Sequence, residues 1–181
     1  INPDKDVDGF HPVNTGKMVN GDECLLPCTP AGIQELICRY AGDIKGKHLV
    51  VVGRSNIVGK PVANMMYQKN DRANCVVTIC HTAAPDISVY TKQADILVVA
   101  AGKPHVVTGS MVKEGAVVID VGVNRIPDPA DNTKTKIVGD VEFDSAAPKA
   151  KAITPVPGGV GPMTIAMLLS NTVKAFEQQN S

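Results

Sequence analysis

The sequence has no excess of charge of either sign, because 18 Lys and Arg residues balance 18 Asp and Glu residues. Proteins that bind nucleic acid or anionic membranes through charge usually carry a clear basic excess. The sequence also lacks an apolar run long enough to span a bilayer, and it does not start with a charged-then-apolar signal segment. We therefore expect a small-molecule partner, with no nucleic acid and no membrane.

The pattern of cysteines lacks the features of a disulfide framework or a zinc site. The five cysteines are an odd number and are scattered through apolar segments. Cys24 and Cys28 are separated by three residues, but no second pair of ligands follows at zinc spacing. Reduced, buried thiols favour a cytoplasmic protein, with the mitochondrial matrix as the alternative, because disulfides form in oxidising compartments. No metal site is predicted.

The chain begins at Ile1 without a methionine, so we expect it to be a fragment of a longer protein. Its 181 residues suffice for one domain of ordinary size, or for one domain with pieces of another.

A β-branched strand, a polar turn and a helix entry follow one another in residues 50–61, VVVGRSNIVGKP. Such a turn directs backbone N–H groups and the positive end of the helix dipole toward an anion. Gly53 and Gly59 bracket five residues, so the G-x-G-x-x-G spacing of dinucleotide-binding turns is only partly met. Arg54 and Ser55 at the tip carry donors suited to phosphate. We interpret Gly53, Arg54 and Ser55 as a nucleotide-phosphate site, with an ordinary βα turn as the alternative.

Strands and helices alternate along most of the sequence. The predicted strands are residues 48–52, 75–80, 95–100 and 115–120, with short strands at 137–140 and 152–154. The predicted helices are one opened by Thr29 as N-cap and ended by Gly42, then 60–69, 86–93 and a final helix through Phe176. Strands separated by helices predict right-handed crossovers and a Rossmann-like, doubly wound parallel sheet of the α/β class.

The end of the second predicted strand bears on the choice of cofactor. An NAD site usually has an acidic residue there to bind the ribose 2′-hydroxyl, whereas a 2′-phosphate requires hydroxyls and cations. Here His81 and Thr82 follow the strand, and the first carboxylate after the strand is that of Asp86. Together with Arg54 this favours NADP. His81 is equally explained as an ordinary hydrogen-bonded histidine, so Thr82 and Arg54 are the stronger candidates.

Two further loops are predicted to lie at the carboxyl edge of the sheet, where open α/β folds bind their ligands. Gly102 follows the third strand, and residues 122–124, with Val123 at their centre, follow the fourth. Residues 127–136 are polar with two prolines and predict a variable surface loop.

Residues 1–28 are interrupted by proline and glycine and predict a loop-rich segment. Asp6 and Asp8 stand one residue apart in it, ahead of Gly9. Three interpretations stay open: a polar turn, a cradle for a cation, or a carboxylate that accepts hydrogen bonds from a ligand ring.

Residues 154–162 contain so many prolines and glycines that neither a helix nor a central strand is predicted. A flexible linker would more usually contain serine and charge. Pro157 and Gly158 suit a rigid wall against which a flat substrate lies. The helical stripe that follows is Ile165, Leu168, Leu169, Thr172 and Phe176.

Four motifs together resemble one family: KDVDGF at 5–10, PCTPAG at 27–32, VGRSNIVGKP at 52–61 and PVPGGVGPMT at 155–164. The family is the bifunctional methylenetetrahydrofolate dehydrogenase/methenyltetrahydrofolate cyclohydrolases, and the resemblance spans essentially the whole chain. It implies NADP-dependent oxidation of methylenetetrahydrofolate to the methenyl form, hydrolysis of that product to formyltetrahydrofolate, and a homodimer.

The resemblance also implies roles for matching residues. Those for the cofactor are Gly53, Arg54 and Ser55 at the phosphates, Thr82 at the 2′-phosphate in place of a common serine, and Val123 at the nicotinamide. Those for the folate are Asp8 at the pterin ring and Pro157, Gly158, Gly159, Val160 and Gly161 along the site.

The family's catalytic lysine, with its tyrosine and glutamine neighbours, lies in a region that precedes anything matching Ile1. No catalytic residue is therefore expected in this stretch, and the stretch alone is expected to be inactive. We expect 1–28 to belong to the catalytic domain, 29–154 to bind NADP, and 155–181 to return to the catalytic domain. Two alternatives are a non-catalytic NADP-binding or regulatory module and a monofunctional folate dehydrogenase.

Overall fold

The computed structural model describes residues 1–128 and 131–180. The strands are β1 His48–Val52, β2 Val76–Cys80, β3 Ile96–Val99, β4 Val117–Asp120, β5 Asn124–Asp128, β6 Asp131–Val138 and β7 Ala152–Ile153. The helices are α1 Pro12–Asn20, α2 Cys28–Tyr40, α3 Gly59–Met66, α4 Ser88–Thr91, α5 Phe143–Ala146 and α6 Val160–Gln179. Short 3₁₀ turns occupy Pro3–Lys5 and Gly109–Met111.

Five strands form one parallel sheet in the order β2-β1-β3-β4-β7. Val50 of β1 pairs with Thr78 of β2 on one side and with Leu97 of β3 on the other. The strand order reverses between β1 and β3, because β2 lies on one side of β1 and the later strands lie on the other. This confirms the doubly wound parallel sheet, and folds of this kind bind their ligands at the carboxyl ends of the strands beside such a reversal.

Both faces of the sheet are covered along β1, β3 and β4, which explains why these strands are largely apolar, whereas the edge strand β2 is partly exposed. Alternate residues of β1 enter two separate clusters. One face contributes Leu49 and Val51 to a cluster with α2 and α3 that includes Ile33, Ile37, Val62 and Met66. The other contributes Val50 and Val52 to a cluster that includes Ile87, Leu97, Val99, Val107, Val112 and Val118.

Residues 1–28 contain a helix, α1, that the proline and glycine content had concealed. Pro12 is tolerated because it stands in the first turn, where its missing N–H needs no partner. The His11 ring caps this turn, with Nδ1 accepting from the Val13 N–H at 3.2 Å, and Gly21 ends the helix in the left-handed conformation. The segment predicted to be loop-rich therefore contains a nine-residue helix that the sequence pattern missed.

The boundaries of other helices also differ from the prediction. α2 begins at Cys28, so Thr29 is its second residue and not its N-cap; the Thr29 hydroxyl instead bonds the Thr164 hydroxyl of α6 at 2.8 Å. α6 begins at Val160, inside the segment 154–162 predicted to be a loop, because Pro162 again stands in a first turn. α3 and α4 are shorter than expected.

β5 and β6 form a separate antiparallel ribbon. The predicted loop 127–136 is therefore largely strand in its described part, and residues 129–130 of it lie outside the described residues. The predicted strand 137–140 is only partly confirmed, because Ile137 and Val138 end β6, residues 139–140 lie outside any strand, and β6 does not join the parallel sheet.

The apolar stripe of α6 lies largely on its exposed side. Ile165, Leu169 and Phe176 are 63%, 64% and 68% exposed, because α6 packs on α2 through another face. There the packing is so close that a Cβ at Gly32 would lie 2.8 Å from the Met163 Cβ. No helix in the described ranges is long and apolar enough to cross a membrane. Cys24, Cys28, Cys75 and Cys80 are buried thiols, as expected.

Candidate functional site

The turn after β1 is packed tightly against its neighbours. Gly53 has φ 132° and continues the sheet, with its N–H donating to the Cys80 carbonyl at 2.8 Å. A Cβ on Gly53 would overlap the Ala100 carbonyl, and a Cβ on Gly59 would overlap the Gly53 carbonyl. Glycine is therefore needed at both positions, because a side chain at either would prevent the backbones of the strand, the turn and the helix from packing this closely. This holds despite the unusual spacing between the two glycines.

Ser55 caps helix α3 from within the turn. Its Oγ accepts from the N–H groups of Val58 and Gly59 at 3.2 and 3.3 Å, and its carbonyl accepts from the Lys60 N–H at 3.1 Å. The hydroxyl hydrogen is still available to donate outward. Among the described residues no hydrogen bond uses the N–H groups of Arg54, Ser55 or Asn56, so the tip presents free donors.

The structure brings several predicted site residues to one cavity of about 200 Å³ at the carboxyl edge of the sheet. Its lining is Gly53, Arg54, Ser55, His81, Thr82, Ala83, Ala100 and Ala101. A guanidinium, two hydroxyls and free backbone donors converge here, which is the chemistry that a phosphate ester needs.

The segment after β2 is a tight turn. The His81 carbonyl accepts from the Ala84 N–H at 2.8 Å, and its Nδ1 accepts from the Ala83 N–H at 3.3 Å. His81 thus supports the turn that presents Thr82. The carboxylate of Asp86 accepts from the N–H and hydroxyl of Ser88 at 2.7 and 2.9 Å, and these bonds hold the pKa of Asp86 below its usual value. Asp86 therefore serves the start of α4 and does not line the cavity.

Asp140 is a buried acid that sequence reasoning missed. It is completely shielded from solvent, and its Oδ2 accepts from the N–H groups of Ala101 and Gly102 at 2.7 and 2.8 Å. Its Oδ1 accepts from the Asn124 amide at 2.7 Å. The Gly102 N–H, in a predicted cofactor-binding residue, is thus already used within the protein.

Asp120, at the end of β4, is a second buried acid missed from sequence. Its Oδ1 accepts from the N–H groups of Gly122 and Asp140, and its Oδ2 accepts from the Val141 N–H, all at 2.9 Å. Burial raises the pKa of Asp120 despite these bonds. The sequence did contain a signal for these two acids, because Asp120 directly follows the apolar stretch 117–119 and Asp140 closely follows the apolar residues 137–138.

Asp6 and Asp8 have different environments. Asp6 is buried, and its Oδ2 accepts from the His11 N–H at 2.7 Å and from the Asn14 amide at 3.0 Å. Asp8 is exposed, and its carboxylate has no hydrogen-bond partner among the described residues. Asp6 is therefore structural, whereas Asp8 is free to bind a ligand.

The segment around Asp8 is tied to α6. The Asn171 amide donates to the carbonyls of Val7 and Leu26, both at 2.8 Å. A Cβ on Gly9, which has φ 75°, would overlap the backbone of Leu26. This close approach fixes the position of Asp8 relative to the final helix.

The proline- and glycine-rich loop 155–159 begins beside the end of β4, where the Asp120 N–H donates to the Thr154 hydroxyl at 2.8 Å. The Val156–Pro157 peptide bond is cis, and Gly158 has φ 101°. Gly158 and Gly159 line a groove of about 410 Å³ between β7 and α2. Of the other predicted folate residues, Pro157 and Gly161 are exposed.

Val160 is buried, unlike the neighbouring residues of the predicted folate site. Its side chain is buried in the cluster with α2 and α3, so only its backbone is available to a ligand.

The family model described as "Tetrahydrofolate dehydrogenase/cyclohydrolase, NAD(P)-binding domain" matches residues 27–180. The Bifunctional protein FolD of Chloroherpeton thalassium is 63% identical over 181 residues, covering 98% of this chain and 61% of that protein. The chain thus spans about three fifths of the length of the curated relatives it matches.

Solved structures agree. The bifunctional FolD enzyme of Campylobacter jejuni has a TM-score of 0.87 at 50% identity, covering 97% of this chain and 59% of that one. The methylenetetrahydrofolate dehydrogenase-cyclohydrolase of Trypanosoma brucei, complexed with NADP cofactor and inhibitor, has a TM-score of 0.89 at 42% identity, covering 99% of this chain and 60% of that one.

Proposed function

Because the chain belongs to the tetrahydrofolate dehydrogenase/cyclohydrolase family, we propose that it supplies the NADP site and part of the folate site of a bifunctional enzyme. That enzyme oxidises methylenetetrahydrofolate to the methenyl form with NADP and hydrolyses the product to formyltetrahydrofolate. The observation that carries the proposal is the convergence of Arg54, Ser55 and Thr82 on one cavity at the switch point of the sheet.

Each group at this cavity has a distinct task. The free N–H groups at the tip of the turn and the outward hydrogen of Ser55 bind the cofactor phosphates. The Arg54 guanidinium and the Thr82 hydroxyl bind the 2′-phosphate. The preference for NADP over NAD is supported by Asp86, the first carboxylate after β2, which is bonded to Ser88. NADP supplies the hydride chemistry, while the protein supplies orientation.

The folate part rests on Asp8 and on the loop that includes Pro157, Gly158, Gly159, Val160 and Gly161. A free carboxylate accepts two parallel hydrogen bonds from the N–H groups of a pterin ring. Gly158 and Gly159 let a flat ligand approach the backbone closely. Hydride transfer requires the one-carbon unit next to the nicotinamide, so we place the folate between this loop and the loop holding Val123.

The domain division is also a proposal. Residues 1–28 and 155–181 belong with the folate domain, and 29–154 form the NADP domain. In support, Asn171 of α6 bonds the 1–28 segment, and the apolar stripe of α6 lies exposed. The relatives are longer than this chain, and we propose that the corresponding part of the parent protein covers that stripe and carries the catalytic lysine. A homodimer in the cytoplasm completes the proposal.

The test is to follow formation of the methenyl product by absorbance, with the parent protein and the 1–181 polypeptide each supplied with NADP and NAD. We expect turnover by the parent protein with NADP and none by the 1–181 polypeptide. A parent protein that turns over with neither cofactor, while still binding NADP, would identify a non-catalytic module. Equal rates for the polypeptide and the parent would contradict the placement of the catalytic lysine outside residues 1–181.

A further inference from the structure

Asp140 and Asn124 form a side-chain pair to which neither the proposed phosphate site nor the folate site assigns a task. We infer that they are positioning residues, which hold the two loops at the nicotinamide end of the cofactor site in their productive shape. The inference rests on the proposed NADP function and adds specific residues to it.

The two loops follow β3 and β4, which lie on the opposite side of β1 from β2 in the sheet. The turn after β1 and the end of β2 serve the adenosine half of a dinucleotide, so the loops after β3 and β4 face the other half. Asp140 contacts both of these loops. It accepts from the backbone of Ala101 and Gly102 after β3, and from the side chain of Asn124 after β4.

Val123 is held from both sides by this network. The preceding residue, Gly122, donates its N–H to Asp120, and the following residue, Asn124, donates its side-chain amide to Asp140. A Cβ on Gly122 would overlap Oδ1 of Asp140, so the loop passes as close to the carboxylate as a backbone can. Val123 itself is 72% exposed at the ligand edge. The network therefore fixes an exposed apolar side chain where the nicotinamide would lie.

Asp140 satisfies several buried donors at once. An apolar side chain in its place would leave these N–H groups without an acceptor. A carboxylate instead offers two oxygens and no donor, so it accepts all three N–H groups that converge on Asp140. This acceptor pattern joins two loops from different strands, which an apolar side chain would leave unconnected.

An exchange of acid and amide tests this arrangement in the parent protein. Asn124→Asp alone places two carboxylates in contact, so the loops should separate. Asp140→Asn alone should be mild, because a flipped Asn124 can present its oxygen to the new amide. The double variant Asp140→Asn with Asn124→Asp restores an acid facing an amide, and the oxygen of the amide introduced at position 140 can accept from Ala101 and Gly102.

The expected result is a kcat about 10- to 100-fold lower for Asn124→Asp with NADP and methylenetetrahydrofolate, because small displacements from near-attack geometry have effects of this size. Binding of 2′,5′-ADP, which lacks the nicotinamide half, should be unchanged. The double variant should recover most of the lost kcat. The matched control is Asp95→Asn, which should leave kcat unchanged. The Asp95 carboxylate accepts the His48 N–H at 2.9 Å, at the amino ends of the strands and away from the proposed ligand site.

Three results would overturn the inference: a wild-type kcat for Asn124→Asp, no recovery in the double variant, or parallel loss of 2′,5′-ADP binding, which would indicate general disruption. A different result would contradict the proposed function itself, namely a wild-type parent protein that does not turn over methylenetetrahydrofolate. In that case cofactor affinity still tests the inference. If the nicotinamide half makes NADP bind more tightly than 2′,5′-ADP in the wild-type protein, Asn124→Asp should remove that difference in affinity.

Discussion

Arg54 and Thr82 line one cavity from two different loops, and we propose that the preference between NADP and NAD rests on these two side chains. The turn carrying Arg54 also offers backbone donors that either cofactor can use. Only the 2′-phosphate distinguishes the two dinucleotides, and it calls for a cation.

We predict that Arg54→Ala weakens NADP binding by roughly 1.5–3 kcal/mol, the range of a hydrogen bond to a charged group, and NAD binding much less. The measurement is the dissociation constant of each cofactor by titration. Arg39→Ala is the control, because Arg39 is an exposed arginine bonded only to Glu35 of its own helix in the described structure. Equal weakening for both cofactors would mean that Arg54 does not face the 2′-phosphate.

Asp6 and Asp8 provide a matched pair for the folate site. Asp8→Ala should abolish folate turnover and leave NADP affinity and stability unchanged, because its carboxylate is exposed. Asp6→Ala should lower the free energy of unfolding by about 1–3 kcal/mol, because it leaves the buried donors of His11 and Asn14 without their acceptor. Folate kinetics and denaturant unfolding of both variants check this contrast, and normal folate kinetics for Asp8→Ala would remove that residue from the site.

At the scale of elements, the turn from β1 into α3 combines two tasks that sequence motifs do not separate. Gly53 and Gly59 permit the close packing, while Ser55 satisfies the first N–H groups of the helix. The pattern in residues 50–61 predicted this element correctly as strand, turn and helix. The capping bonds were not foreseen, because Ser55 lies three and four residues before the groups it caps.

Ser55→Ala should therefore affect both stability and cofactor binding. Loss of the cap lowers the free energy of unfolding by about 0.5–2 kcal/mol. NADP and NAD should weaken equally, in contrast to Arg54→Ala, since the phosphates that we propose Ser55 binds are common to both cofactors. Ser88→Ala is a suitable comparison, because it removes a hydroxyl bonded to Asp86 at the start of α4 outside the cavity. Preferential loss of NADP would instead place Ser55 at the 2′-phosphate.

At the scale of the whole molecule, the final helix has two different faces. Val160 and Ala175 are buried, whereas Ile165, Leu169 and Phe176 are largely exposed. Helical periodicity correctly predicted the helix, but it does not reveal which apolar residues are covered. An exposed apolar stripe of this length is typical of a surface that another segment covers.

We predict that Leu169→Glu lowers the melting temperature of the parent protein and has little effect on the 1–181 polypeptide, where Leu169 is already exposed. Burial of an unpaired charge is strongly unfavourable only where the stripe is covered. Ser170→Glu, an exposed neighbour on the same helix, is the control. Thermal unfolding of both lengths of chain provides the measurement. A parent protein unaffected by Leu169→Glu would contradict the proposed position of the folate domain.

The sequence by itself determined the parallel sheet and the glycine turn, and it pointed to the residues that line the proposed cofactor cavity, because these depend on local patterns. Continuous apolar runs mark strands buried on both faces, and residues 53–55 act within one short turn. Only the tertiary structure decided the Asp120 and Asp140 network, whose hydrogen bonds join residues up to 39 positions apart. It also decided the exposure of α6 and the separation of the β5–β6 ribbon from the sheet. These depend on which surfaces meet in space, and no local spacing of residues encodes that.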